Sequence, residues 1–251
     1  MPSTNSRISA LLRADGERIV RRAIAAVLPD EAVRRALEGV RFPGRVFLVA
    51  AGKAAWRMAS AALACLGQAE RGIVITKYGH LGAPLPGIDC YEGGHPVPDE
   101  SSLRATDAAL RLTAGLRADD TVLLLLSGGG SALFEKPLIP LEELQSVTAQ
   151  LLAGGADIVE TNTVRKRLSA VKGGRFALHC APAQVYAVIL SDILGDPMDM
   201  IASGPACADP STCAQALAAA EKYRLRLSPG AWGLLRQETP KALGSVRARV
   251  T

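Results

Sequence analysis

Aromatic residues are scarce: the 251-residue chain has four Phe, four Tyr and two Trp. Its formal net charge is +5, but the basic residues are scattered apart from short clusters such as Arg165-Lys166-Arg167. With so few rings there is no base-stacking platform, so nucleic acid is a poor partner, and a small anionic substrate accounts for the charge equally well. Cysteine is also sparse. Cys65, Cys90, Cys180, Cys207 and Cys213 are odd in number and form no C-x-x-C pair, and the isolated His80, His95 and His179 add no zinc spacing. A reduced, cytoplasmic protein is the simplest reading. No uninterrupted apolar run approaches the ~20 residues that span a bilayer, so no membrane partner is expected. The N-terminus has no signal-peptide pattern.

What is present is an ordinary globular composition, 49% hydrophobic and 21% charged, which excludes disorder and coiled coil. Residues 7–28 place Ile8, Leu11, Leu12, Ile19, Ala23, Ile24 and Val27 on one helical stripe, interrupted by Asp15 and Glu17. A short helix follows around 30–38. The grammar then becomes strand, glycine, helix. Strands are predicted at 46–50, 73–76, near 89–91, at 122–126 and at 185–190. Helices are predicted at 54–66, 100–115, 141–153, 162–169 and 172–179. One more runs from an Asp209-Pro210-Ser211-Thr212 start to about Tyr223, and the last lies around 229–237. Asp99 or Ser101 caps the helix at 100. Strands that are apolar without alternation are covered on both faces and run largely parallel. The expected fold class is α/β, a three-layer sandwich around a doubly wound, Rossmann-like sheet. It spans residues 1–239, and 240–251, short of apolar pattern, reads as a linker.

In such sheets ligands bind beyond the carboxyl ends of the strands, where four segments stand out. Ala50-Ala51-Gly52-Lys53-Ala54 sets a lysine at a strand-to-helix turn, either facing an anion or solvated at a helix start. It is not a Walker loop, because Ala54 stands where Ser or Thr would be. Ser127-Gly128-Gly129-Gly130-Ser131 follows the strongest strand and suits a backbone nest for phosphate oxygens better than a bare structural turn. Asp192 and Asp196, four apart after a strand, suit a magnesium ligand or a general base, or simply a turn cap. In the segment 162–174, Arg165, Ser169 and Lys172 fall near one helical face, which is either a solvated basic face or a wall balancing a polyanion. His95, between Gly94 and Pro96, reads as a loop-fixing residue rather than a catalyst, and no role falls to the cysteines.

Taken in order, G-K-A at 52–54, G-G-H-P-V-P-D at 93–99, S-G-G-G-S-A-L at 127–133, N-T-V-R-K at 162–166, L-S-x-V-K-G-G at 168–174, and S-D-x-x-G-D with I-A-S-G-P at 191–205 resemble the glycerate 2-kinase (MOFRL-type) family. The resemblance covers nearly the whole chain after the first helix. It implies ATP-dependent phosphorylation of D-glycerate to 2-phosphoglycerate with Mg²⁺, in a cleft between two lobes. By position, Lys53 is similar to the family's active-site lysine and Ser127 to Ser131 to its phosphate-facing loop. Asp192 corresponds to its acidic residue, as base or metal ligand, with Asp196 as a second candidate. Asn162, Arg165, Lys166 and Lys172 carry over as substrate or anion contacts. Family members run far beyond 251 residues, so the second lobe, with a further catalytic arginine, is expected beyond Pro240-Lys241. This chain is therefore expected to be weak or inactive alone, and to self-associate or pair with a separate second-lobe chain.

Two rivals stand beside the kinase. Some members of that family carry the label hydroxypyruvate reductase, but G-x-G-x-x-G is missing and the second strand ends in Thr76-Lys77, with no acid for a ribose. The other rival is a non-catalytic lobe that binds nucleotide or a partner chain.

Overall fold

The computed structural model describes the backbone of residues 4–191, 193, 195–244 and 248–250, with the side chains of that set except 4–8, 10 and 248–250. Helix α1 (Thr4–Ala26) leads into α2 (Pro29–Leu37), which starts with proline where a missing N–H costs nothing. The alternating part then runs β1 (Val46–Ala51), α3 (Ala55–Leu66), β2 (Arg71–Lys77), β3 (Ile88–Gly93), α4 (Glu100–Leu112) and β4 (Thr121–Ser127). It continues through α5 (Gly130–Leu133), α6 (Leu141–Ala153), α7 (Ile158–Arg167), α8 (Arg175–His179) and β5 (Gln184–Leu190). A 3-10 turn at Ile201–Ser203, α9 (Cys213–Lys222), α10 (Pro229–Leu235) and β6 (Ala248–Val250) complete it.

The strands form one all-parallel sheet in the order β3-β2-β1-β4-β5-β6. Alternate residues of the central strands feed two cores. Phe47, Val49, Val122, Leu124 and Leu126 pack on one face with Ala105, Ala109 and Phe176, from α4 and α8. Leu48, Ala50, Leu123 and Leu125 pack on the other with Val33, Leu37, Met58 and Ala59, from α2 and α3. Burial of both residue parities is why the strands show no alternation. A third cluster, built by Leu144, Leu151, Val164, Ala216 and Leu235, joins α6, α7, α9 and α10. At the amino edge of the sheet, buried Asp120 takes Arg45 in a two-pronged pair, 2.9 and 2.7 Å, and the Arg117 N–H at 2.8 Å. These bonds hold its carboxyl below the usual range, Arg45 first.

The three-layer, doubly wound expectation holds, and Asp99, not Ser101, caps α4 by accepting the Ser102 N–H. Details differ. Helix α7 ends at Arg167 and α8 begins at Arg175, so Ser169 and Lys172 lie between the two helices and share no helical face with Arg165. Thr212 caps α9, so its Asp-Pro prelude lies outside the helix. The glycine loop closes into the short helix α5. Within the stretch read as a linker, Ala248–Val250 adds a sixth strand beside β5; three residues are too few to show a period. The stripe on α1 also stays open: Leu11, Leu12, Ile19, Ile24 and Val27 are each more than half exposed.

Candidate active site

β1 has β2 on one side and β4 on the other, so the chain leaves the sheet in opposite directions there and a crevice opens at the carboxyl ends of β1 and β4. The two loops touch through Gly52. Its φ is +128°, and a Cβ on it would lie 2.2 Å from the Ser127 hydroxyl oxygen and 2.5 Å from the Ser127 carbonyl oxygen. The Lys53 N–H donates to the Gly128 carbonyl at 2.9 Å, the Ala54 N–H to Ser127 Oγ at 3.0 Å, and the Thr76 hydroxyl to the Gly52 carbonyl at 3.0 Å. Lys53 therefore has a fixed backbone and an exposed side chain. A cavity of about 500 Å³ opens beside it, lined by Lys53, Ser127, Gly128, Leu190 and Ser191, and by Arg35 from α2. Arg35 escaped the reading of the sequence; its only signal was the packing of α2 against α3.

The glycine loop is shaped from three sides. Gly129 has φ +92°, and a Cβ there would lie 3.0 Å from His95 Cδ2, 3.1 Å from His95 Nε2 and 3.2 Å from Lys53 Cγ. A Cβ on Gly130 would come within 2.8 Å of Ala202, which with Ser203 and Gly204 forms a left-handed run at φ 51°, 60° and 65°. Two non-glycine residues in that region cost of order 1–3 kcal/mol each. The I-A-S-G-P segment thus abuts the loop. Ser131 Oγ lies 3.2 Å from Ser203 Oγ, and the Ser203 hydroxyl donates to Asn162 Oδ1 at 2.9 Å. Among the described residues, the N–H groups of Gly129, Gly130 and Ser131 donate to no backbone carbonyl.

Behind the loop lies a buried ionic brace. Lys172 donates to the Ser131 and Phe134 carbonyls at 2.9 and 3.1 Å, and Arg165 donates to the Ser131 carbonyl at 2.8 Å. Glu135, wholly buried, sits 3.3 Å from Lys172 Nζ and 3.5 Å from Arg165. Burial takes the Lys172 ammonium down to about 8, with the Glu135 charge opposing. Glu135 was also missed; it follows Ala132-Leu133-Phe134 directly, an acid closing a buried apolar turn. Lys166 is enclosed between Asp199 and Asp209, 3.0 Å from each, and Arg167 bonds the Thr163 carbonyl, Ser211 and Glu238. Arg165, Lys166 and Lys172 thus bond to the protein itself, whereas Lys53 is exposed at the cavity, as is Arg35. The Arg35 guanidinium donates to the Glu31 carbonyl at 3.4 Å and lies 3.9 Å from the Glu31 carboxylate.

Asp192 lies outside the described residues. Its neighbour Ser191 lines the main cavity and also a second one, of about 370 Å³, with Ile189, Asp196, Met198 and Ile201. Asp196 is exposed there at φ 48°. At the other end of the crevice, the His95 side chain is held below the usual histidine range by burial and then by the charges of Lys53, Lys77 and His80. Asp99, next to it, loses by burial but gains more from the Ser102 N–H, the Tyr78 hydroxyl and the Gly94 N–H, and falls to about 2.

The family model described as "Domain of unknown function (DUF4147)" matches residues 15–236, which include every segment of this crevice. The chain belongs to that family. DUF4147 is here the N-terminal part of the glycerate kinase family. The chain is 53% identical over 231 residues to a D-glycerate 2-kinase of Thermotoga maritima, covering 91% of this chain and 55% of that protein. It is 44% identical over 230 residues to a putative hydroxypyruvate reductase of Agrobacterium vitis, covering 90% of this chain and 52% of the other. A crystal structure of a Thermotoga maritima glycerate kinase superposes with a TM-score of 0.88 at 50% identity, over 96% of this chain and 59% of that one. The DUF4147 chain thus spans about half the length of the curated relatives it matches.

Proposed function

We propose that this chain supplies the phosphate-binding half of an ATP-dependent phosphotransferase that converts D-glycerate to 2-phosphoglycerate. The observation that carries the reading is the seating of Lys53 on the Ser127–Ser131 loop at the sheet's switch point, beside an open cavity. In the proposed reaction the 2-hydroxyl oxygen bonds to the γ-phosphorus as the bond to the β-γ bridging oxygen breaks; the hydroxyl proton passes to a carboxylate, for which Asp192 is the proposed base, and ADP leaves. The Lys53 ammonium balances charge on the transferred group, and the free N–H groups of the loop face its oxygens. The brace of Glu135, Arg165 and Lys172 keeps that loop from reorganising, which is what makes fixed dipoles effective.

Asp192 and Asp196 are the proposed holders of Mg²⁺. Among the described residues no three or more His, Cys, Asp or Glu gather as a metal cluster. Mg²⁺ takes one or two carboxylates and completes its shell with water and phosphate oxygens. Exposed Asp196, facing a cavity, fits that donor set. When bound, Mg²⁺ neutralises phosphate charge.

Calorimetry with ATP–Mg²⁺ on the 251-residue chain tests the reading. Binding is expected, and Lys53→Ala should weaken it about tenfold, the loss of one charge-assisted contact. ATP affinity unchanged in that variant would remove Lys53 from the site. For the reductase alternative, the end of β2 offers buried Thr76, bonded to the Gly52 carbonyl, and then Lys77, so no acid stands ready for a ribose. NADH oxidation by hydroxypyruvate is accordingly expected to be absent.

A further inference from the structure

Besides the turn at Lys53, the glycine loop and the segment after β5, a further loop reaches the crevice, Gly93-Gly94-His95-Pro96 after β3, and it has no part in the reading above. Its histidine differs from the other two. His179 sets Nε2 2.9 Å from the Leu110 carbonyl, away from this edge, and His80 sets Nδ1 3.3 Å from the Lys53 carbonyl. His95 has no such bond among the described residues. Its half-buried ring packs beside Gly129, where a Cβ would stand 3.0 Å from Cδ2 and 3.1 Å from Nε2, and the Lys53 stem approaches the same position at 3.2 Å. His95 Nε2 and Lys53 therefore flank Gly129, at the start of the Gly129–Ser131 stretch whose N–H groups, among the described residues, donate to no backbone carbonyl.

The surrounding charges are one-sided. The charges of Lys53, Lys77 and His80 act on this ring from the β1–α3 turn, the end of β2 and the loop after it. The two acids nearby are engaged elsewhere: Glu92 accepts the Gly79 and His80 N–H groups at 2.7 and 3.2 Å, and Asp99 accepts Ser102 and Tyr78. Without a ligand, the cations and partial burial favour the neutral imidazole. A dianion set among them reverses the local field and favours the imidazolium.

We infer that His95 is a third wall of the anion site, taking up a proton as a tetrahedral dianion binds between it, Lys53 and the Gly129–Ser131 loop. The inference rests on the phosphate-site reading above and adds a binding group to it. The sequence reading gave His95 a loop-fixing task; its ring against Gly129 adds a ligand-facing one.

Sulfate is the probe, because its own charge stays constant between pH 5 and 8.5. Wild-type chain is expected to bind sulfate several-fold more tightly at pH 5.5 than at pH 8, the ratio that linkage gives for a rise of about one unit in the His95 pKa. With three histidines the imidazole resonances are separable by NMR. That of His95 should titrate upward with sulfate, and that of His179 should not move. His95→Asn and His95→Gln should flatten the pH dependence to the wild-type affinity at pH 8. If wild type binds sulfate equally at both pH values, or if the pH dependence survives in both variants and disappears in His80→Asn, the role of His95 is overturned. If wild type binds no sulfate at any pH, the phosphate site itself is wrong and the inference falls with it. The NMR titration uses unmodified protein, so a misfolded variant does not block the result.

Discussion

At Gly52 the crevice has no room for a single added carbon, since Ser127 Oγ would lie 2.2 Å away and the backbone is already at φ +128°. Gly52→Ala should therefore cost about 3 kcal/mol through strain and overpacking together, read as a lower urea midpoint; an unchanged midpoint would mean the two loops are not in contact. Lys172 provides a test with a definite sign in pH. Burial lowers it from 10.5 to about 8, so between those values the unfolded chain holds a proton that the folded protein has released. The unfolded state then binds more protons, and stability rises with pH across that window, while below about pH 8 the cost of the buried charge is present in full. Urea unfolding at pH 7.5 and 9.5 should show wild type gaining on Lys172→Met at the higher pH. A constant difference would show that Lys172 does not titrate there. At pH 7.5 the variant should itself be less stable by about 3 kcal/mol, because Glu135 loses one of its two cations.

Among the elements, the strands were legible because both faces of each are buried, which writes an unbroken apolar run such as Val122–Leu126 into the chain. Strand order was not, since β1 pairs with β4 across some seventy residues and no local pattern encodes a crossover. Helix α7 shows the same limit in its chemistry. Arg165, Lys166 and Arg167 read locally as a basic face, yet all three are buried, because Glu135, Asp199, Asp209 and Glu238 reach them from four distant segments. Lys53 and the glycine loop were found because each directly follows a strand; Glu135 and Arg35 were not, because their relation to the crevice exists only in three dimensions. Helix α1 makes the opposite case. Its amphipathic stripe is plain in the sequence, but residues 11–27 are all exposed, so it lends the body little burial. Deleting residues 1–20 should change the unfolding free energy by less than about 0.5 kcal/mol, the range of exposed surface changes. A larger loss in urea titration would show that α1 packs on the body in solution.

Considered whole, the molecule lines one open cavity with two exposed cations, Lys53 and Arg35. Phosphoryl transfer depends on cations around the γ-phosphate and on exclusion of water, which cleft enzymes obtain by closing one wall on another. The curated relatives carry about as much chain again as the part matched here. In the proposed site, residues 1–251 by themselves would leave a bound phosphate facing the open side of the cavity, with its interactions with Lys53 screened toward their weak values in water. A single transition-state arginine from an opposite wall can alone be worth ~10³-fold in phosphotransferases. The 251-residue chain is therefore expected to fold, to bind ATP or sulfate at the crevice, and to release ADP with D-glycerate at a rate near background. A coupled ADP-release assay on the purified chain measures this directly. Turnover on the order of 10 per second, an ordinary enzymatic rate, would show that the crevice between β1 and β4 closes over its substrate without a second wall.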